Sequence, residues 1–544
     1  MQKRIIFAAV LALGFGLSGF GMPRIVLRFS CLHTGSKEKW AKTLASIKAK
    51  AGCCDEVWFS SWGGMMPMEF HREQAKNIAA AAADLRALGI VPSLQIQTTI
   101  GHGDDFTNTN YWGAKAWTGW TGSTGVEDKF CNCPRQKKFL AYIREMAKAY
   151  AGCQPRSVWI DDDLRIDNHR PATNGSLDGC WCQACVAAFN EENGAKWTRE
   201  ELAAEVAKGG ELGAKWAAFA VESIAGVARA IAEGVKEVAP EAIMGLQHCN
   251  AGKYEASVRG VSKALAEVSG RATGIRPGGG MYWDLNPSEQ VIKSIESAAF
   301  AGRLKDVGTI QYWCPEVESW PHTYGGRSAQ SVIVESFAAL MYGFNFTSYW
   351  TLDAKAETDE QYGKKMLAPI AKAAAVLKGY AEANEGCEVV GFEADGLAGW
   401  NLYKFGLTGV PMMVGMGRSV GKVTDDEKKM NITMANSGKV QALRDAVAAR
   451  VKDGEALATL KSPFVGLMAL RVTKNGKLRT VGILNTRIGE QEEIVVALRG
   501  IEKGAKVIWR EAGKEPIELA VKDGEVKIPS IGAWNCGFLD ISRR

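Results

Sequence analysis

From residue 24 onward, short β-rich runs alternate with long stretches whose apolar residues recur every three or four positions. The β-rich runs are Ile25–Ser30, Glu56–Ser61, Ser93–Ile100, Ser157–Asp162, Ile243–His248, Thr273–Arg276, Thr309–Trp313 and Phe346–Thr351. Between them lie Ala-rich segments such as Glu69–Leu88, Arg135–Ala151, Ala214–Val238, Ser288–Leu304 and Ser328–Tyr342. Each carries one apolar stripe, as a helix covering a sheet requires. Strands separated by helices pair in parallel, and eight such units close into a (β/α)8 TIM barrel. A doubly wound open sheet fits less well, because no GxGxxG turn follows any of the strands.

The texture changes after a last barrel helix near Asp359–Ala383. Residues 387–462 hold a short apolar run, Pro411–Val414, and a helical stretch, Lys439–Lys452, and read as a small α/β module. Beyond them come Leu467–Val472, Thr480–Leu484, Glu493–Val496, Ala505–Trp509 and Val526–Ile528, the spacing of a small β-sandwich over 463–544. At the other end, Lys3 and Arg4 precede the apolar run Ile5–Leu17 and the small residues Ser18, Gly19 and Gly21. That is the plan of a cleavable secretory signal over 1–21, too short to span a bilayer comfortably. A buried first strand is the alternative, and the glycine spacing suits it poorly. The expectation is a periplasmic or secreted protein with no membrane anchor once the signal is removed.

Composition narrows the function. The chain has 544 residues, 47% hydrophobic and 23% charged, with a formal charge of +6. These are ordinary soluble proportions, which exclude a disordered chain or a polytopic membrane protein. The charge is too slight to indicate nucleic acid. No GxxxxGK[ST] loop is present, and nothing in the sequence asks for an organic cofactor. Homo-oligomerisation is left open.

The candidate chemistry gathers where strands end, as an active site on a barrel does. The histidines His33, His71, His102, His169, His248 and His322 all fall at or just after expected strand ends. Trp62, Trp112, Trp283, Trp313, Trp320 and Trp350 lie in the same zones. Aromatic faces beside polar hydrogen bonders suit sugar rings, and His102, Trp283, Trp320, His322, Trp350 and Arg276 are the candidate substrate contacts. Two acidic clusters stand out, Asp161-Asp162-Asp163 after the fourth strand and Glu316-Val317-Glu318 at the seventh. Strands four and seven face each other across such a barrel. A carboxylic acid opposite a carboxylate is the apparatus of glycoside hydrolysis. Three adjacent carboxylates cannot all ionise cheaply, so at least one pKa should rise toward an acid catalyst's range. Metal binding or helix capping is the bland alternative for the aspartates.

Thirteen cysteines, an odd number, argue against a complete disulfide framework. Most are scattered through apolar segments, as inert core thiols are. Cys180, Cys182 and Cys185 supply three soft ligands at CxCxxC spacing, and Cys133 completes a tetrahedral thiolate set for structural zinc. Cys131 competes for the fourth place, and a disulfide such as Cys131–Cys182 is the alternative in an oxidising compartment.

Several of these segments together resemble the clan A glycoside hydrolases, and most of all the β-galactosidases of family 42. The segments are Cys133-Pro134, a helix with Tyr142 and Arg144, Trp159-Ile160-Asp161-Asp162-Asp163, the CxCxxC group, and a helix with Phe189. Later come Glu316, then Ala338–Phe344 leading into Tyr349-Trp350. The resemblance spans roughly 24–385, and the smaller appended domains are expected to belong with it. It implies an oligo- or polysaccharide substrate and a retaining mechanism, with Asp163 matching the family's acid/base Glu and Asp162 the Asn before it. Glu316 matches the nucleophile, with Glu318 close behind. The chain departs from the pattern in carrying Asp-Asp for Asn-Glu. It also has Glu127-Asp128-Lys129-Phe130 where the family has an Arg-rich stretch. A carbohydrate-binding barrel without catalysis is the second expectation.

Overall fold

The structure is a computed structural model that describes residues 22, 24–97, 99–101, 117–166, 175–249, 252–284, 287–319, 326–350, 360–394, 411–413, 415–423, 456–502 and 504–542. The eight expected strands all form: β1 (Ile25–Phe29), β2 (Glu56–Ser60), β3 (Val91–Ile96), β4 (Ser157–Ile160), β5 (Ile243–Cys249), β6 (Thr273–Gly278), β7 (Ile310–Trp313 and Glu316–Glu318) and β8 (Thr347–Trp350). Every pairing among them is parallel. The first half of β7 pairs with β6 and the second half with β8, so one run closes the sheet on itself. Cys314 bridges the halves, its N–H donating to Ile275 O at 3.2 Å. This is the TIM barrel that the alternation of elements required.

The helices covering the sheet are α1 (Lys37–Lys48), α2 (Met68–Ala87), α3 (Lys137–Ala151), α4 (Gln183–Asn193), α5 (Arg199–Val206), α6 (Gly210–Val238), α7 (Glu255–Ser269), α8 (Pro287–Arg303), α9 (Ala329–Met341) and α10 (Ala368–Ala383). Strand side chains alternate between this helical layer and the barrel interior. Inside, the floor is aromatic. Trp58 and Trp159 stack at 4.6 Å and 19°, with Phe346 edge-on to both. Gly245 and Gly274 make the room, since a Cβ at either would lie 2.4 or 2.3 Å from the Trp159 ring. Below the pair, buried Glu56 accepts from Trp58 Nε1 at 2.6 Å, Arg156 at 2.9 Å and Ser157 Oγ at 3.1 Å.

Beyond the barrel, a seven-stranded sheet runs in the order Arg418–Val423, Glu388–Ala394, Gly466–Val472, Leu478–Asn485, Cys536–Ser542, Lys506–Glu511 and Ile517–Leu519. A three-stranded sheet of Ala458–Leu460, Gln491–Leu498 and Glu525–Ile531 faces it across a core built on Trp509, Val481, Ile483, Val496 and Ile528. Glu388–Ala394 and Arg418–Val423, from the 387–462 segment, thus share a sheet with the C-terminal strands. Buried Arg471 ties that sheet to the barrel through the carbonyls of Leu340 at 3.0 Å and Cys387 at 2.9 Å. The signal-like stretch 1–21 and the expected helix 439–452 lie outside the described residues.

Candidate active site

Alternation decides which polar residues enter the barrel mouth. On β4, Ser157 and Trp159 point inward, and the ladder continues one residue further, Asp161 N–H donating to Ile96 O at 2.9 Å. Asp161 therefore shares their parity. On β7 the inward positions are Glu316 and Glu318; on β6, Gly274, Arg276 and Gly278; on β1, Val26 and Arg28.

Glu316 is buried, 4% exposed. Its carboxylate accepts from Arg276 Nη1 at 2.6 Å, the Gly279 N–H at 3.2 Å and the Tyr282 hydroxyl at 3.2 Å. Burial alone would raise its pKa; Arg276, Lys293 and Arg28 overcome that and hold it down to about 2. Gly278 is the wall behind it, because a Cβ there would sit 2.5 Å from the carboxyl carbon. Glu318, two residues on, is paired with Arg28 at 2.7 Å. Burial and the neighbouring Glu316 charge nonetheless push its carboxyl above the ordinary range. Arg28 crosses the barrel from β1 to donate to Gln247 Oε1 on β5 at 3.2 Å, and lies 5.3 Å from the Trp350 ring.

The three aspartates separate. Asp161 lies 3.9 Å from the other arm of the Arg276 guanidinium. Burial, then the charges of Asp162 and Asp163, push its carboxyl up to about 8 despite Arg276. Asp162, of opposite parity, accepts from Arg165 at 3.2 Å and from the Cys249 thiol at 3.4 Å. Asp163 is buried in the turn that follows, at 4% exposure. Arg276 therefore joins Glu316 and Asp161, whose proton affinities are driven apart.

Of the six histidines, the three among the described residues do not line the mouth. His33 is buried at 3.3 Å from Thr43 Oγ1. His71 stands inside α2, between the hydroxyls of Tyr142 at 2.7 Å and Tyr150 at 3.0 Å. His248 faces the helical layer beside Phe300, ring centres 4.7 Å apart. Burial pushes all three down, to about 3, 4 and 3 respectively. They are core residues, and their position after a strand end reflected only where the chain turns. Trp350 and Arg276 are in the mouth, and Trp283 is 44% exposed on the loop after β6. His102, His169, His322, Trp112 and Trp320 lie outside the described residues. Arg28, Gln247 and Tyr282 went unnoticed in the sequence. Alternation along β1 and β5 marks the first two, whereas Tyr282 sits in a loop with no period to mark it.

Beside this mouth a hairpin, Gly119–Thr121 with Glu127–Asn132, leads into Cys133. Its Thr121 carbonyl accepts from Trp181 N–H at 2.7 Å. This docks the hairpin on the CxCxxC loop. Cys133 Sγ lies 3.4 Å from both Cys182 and Cys185 Sγ, and with Cys180 the four ligand atoms fall within 4.8 Å of one another. All four are buried, and this group could hold a metal ion. Cys131 instead turns its thiol to the Gly101 carbonyl at 3.4 Å. No disulfide joins any of the described cysteines, Cys131 and Cys182 included. Among the described residues no helix is long and apolar enough to cross a membrane.

No family model and no curated protein matches the chain. Solved structures do. A β-galactosidase from Bacillus circulans sp. alkalophilus aligns with a TM-score of 0.58 at 10% identity, over 96% of this chain and 99% of that one. A cold-adapted β-galactosidase from Rahnella sp. R3 gives 0.58 at 11%, over 96% and 99%. A catalytic mutant of Gan42B, a GH42 β-galactosidase from G. stearothermophilus, gives 0.56 at 11%, over 95% and 98%. The chain shares its fold with these enzymes. The shared fold takes in the C-terminal sheets as well as the barrel.

Proposed function

We propose that the protein is an exported glycoside hydrolase that cleaves β-linked sugars of oligo- or polysaccharides, β-galactosides first among them, with retention of configuration. One observation carries the reading: two carboxyls share one guanidinium, Glu316 at 2.6 Å and Asp161 at 3.9 Å, in surroundings that push the proton affinity of the first down and of the second up. Pairs whose environments push their pKa values apart divide into acid and base roles. Glu316 is read as the nucleophile, attacking the anomeric carbon as Asp161 gives its proton to the departing glycosidic oxygen. Water then releases the covalent sugar, returning its proton to Asp161. The acid role thereby moves from Asp163 to Asp161, and Asp162 is read as the partner of Arg165. Glu318 and Arg28 line the pocket, and Trp350 and Trp283 offer faces to sugar rings. The solved β-galactosidases of the same fold support the choice of substrate.

Structural zinc is the metal proposed for Cys133, Cys180, Cys182 and Cys185. Tetrahedral Zn–S bonds of about 2.3 Å place sulfurs about 3.8 Å apart, close to the spacing here. Bound there, zinc would fix the hairpin and the loop beside the mouth. Export rests on Lys3, Arg4 and the apolar run Ile5–Leu17.

A second reading, a sugar-binding barrel without turnover, is favoured by one feature: Arg276 lies between the two carboxyls. A panel of aryl β-glycosides separates the two. The hydrolase reading expects turnover that Glu316→Ala abolishes and added azide restores. Sugar binding with no turnover on any substrate would select the second.

A further inference from the structure

A buried charge network lies behind the mouth, and one member, Lys293, bears electrostatically on Glu316. Lys293 of α8 and Glu335 of α9 are ion-paired at 2.8 Å, their side chains 2% and 0% exposed. Arg327, at the entrance to α9, pairs with the other Glu335 oxygen at 2.7 Å. One carboxylate between two buried cations is a costly way to join two helices, since apolar residues of similar volume would do it as well. Its contacts run instead toward the site. Arg327 Nη1 donates to the Glu318 carbonyl at 3.0 Å. Gln290 donates to the Trp283 carbonyl at 2.7 Å and to Asp284 at 3.1 Å, pinning the loop that carries Tyr282. The Lys293 ammonium lies 5.3 Å from the centre of the Tyr282 ring, and the hydroxyl of that ring is on Glu316.

We infer that Lys293 is a positioning residue for Glu316. Its ammonium, fixed by Glu335, holds Tyr282 against the carboxylate and supplies a second cation behind Arg276. The inference rests on reading Glu316 as the nucleophile. Arg276 from β6 and Arg28 from β1 also face Glu316, as fixed positive charges. Tyr282 and, on β5, Cys249 keep their protons, burial pushing the Cys249 thiol up to about 12. Glu318 on the same strand and Asp161 on β4 are the carboxyls that titrate nearby. Lys293 thus brings a cation to bear on Glu316 from the helical layer.

The test is Lys293→Met, which leaves Glu335 paired one-to-one with Arg327. Removing a nearby cation raises a carboxylate's pKa. The acid limb of the kcat/KM profile on an aryl β-glycoside should therefore move up by about 1 pH unit, with kcat falling more than KM changes. Lys293→Arg should return the limb toward its original place. Lys293→Gln, which keeps a donor toward Glu335, gives the same reading should the methionine variant not fold. In parallel, carbon NMR of δ-labelled glutamate, assigned with Glu316→Gln, follows the Glu316 carboxyl directly, and its titration should shift the same way. An unmoved limb and an unmoved titration, whatever the loss of melting temperature, would overturn the inference. If the wild type turns over no glycoside, the hydrolase reading fails on its own and the carbon titration still decides the role of Lys293.

Discussion

Gly278→Ala is the sharpest probe of how the carboxylate is held. A Cβ at this position would lie 2.5 Å from the Glu316 carboxyl carbon and Oε1, and 2.6 Å from Oε2, where ordinary contact begins at 3.4 Å. Something must move by about 1 Å, and β6 cannot, being laddered to β5 through Cys249↔Gly278. The carboxylate yields, loosening its bonds from Arg276, Gly279 and Tyr282 together. Misplacing a reacting group by about 1 Å costs about 100-fold, equivalent to about 2.7 kcal/mol of barrier. Stability should hardly change. Gly278 is not among the positive-φ glycines, so alanine loses less freedom on folding, worth about 0.4–1 kcal/mol, against the strain of the displaced carboxylate. Steady-state kcat/KM on an aryl β-glycoside and thermal unfolding should be measured on the same preparation. A variant within about threefold of wild-type activity would refute the argument, because the carboxylate position would then not matter.

Three further outcomes are expected. Asp161→Asn should lose activity on substrates with poor leaving groups, and with it the alkaline limb that the wild type should show near its pKa of about 8. The wild-type fold binds that proton more tightly than the unfolded chain, so stability drains away as pH rises from about 4 to 8. The asparagine variant should therefore gain relative to wild type across that window in pH-dependent denaturation. Metal analysis should find about one zinc per chain, and chelation should lower the melting temperature more than it alters the pH profile; no metal, with the thiols of Cys133, Cys180, Cys182 and Cys185 oxidised in pairs, would overturn this. Trp159→Leu should cost about 3 kcal/mol in urea unfolding, because Gly245 and Gly274 offer no side chains to fill the space.

The barrel was legible because eight runs of one period separated by stretches of another leave little else that the chain can build. The strands of the C-terminal sheets were legible only in part. Cys536–Ser542, central to the larger sheet, carries Cys, Gly, Asp and Ser among its apolar residues and shows no clean alternation. His33, His71 and His248 misled because a strand end and a pocket are different places. A residue one position off the inward parity, as His248 is next to Gln247, faces the helices instead. Charge pairing was the least legible part. Arg28 and Gln247 come from strands whose sequence separation is 219, and only barrel closure brings them together.

The same parity argument bears on the proposal that the Asp-Asp-Asp cluster serves where the related pattern carries Asn-Glu. An aspartate is one methylene shorter than a glutamate, so an acid three residues past Ile160 must reach further into the mouth. An aspartate one residue past Ile160 is still on the ladder and needs no such reach. It sits lower in the barrel, in the layer occupied by Arg276, half-buried, and two more carboxylates follow in the chain. Those conditions keep a carboxyl protonated, as proton donation requires. Arg276 then has two opposed effects, holding Glu316 as an anion at 2.6 Å while reaching Asp161 only at 3.9 Å. If the two carboxyls take the roles proposed for them, the asymmetry of those two distances, more than the number of acidic residues, is what separates nucleophile from acid.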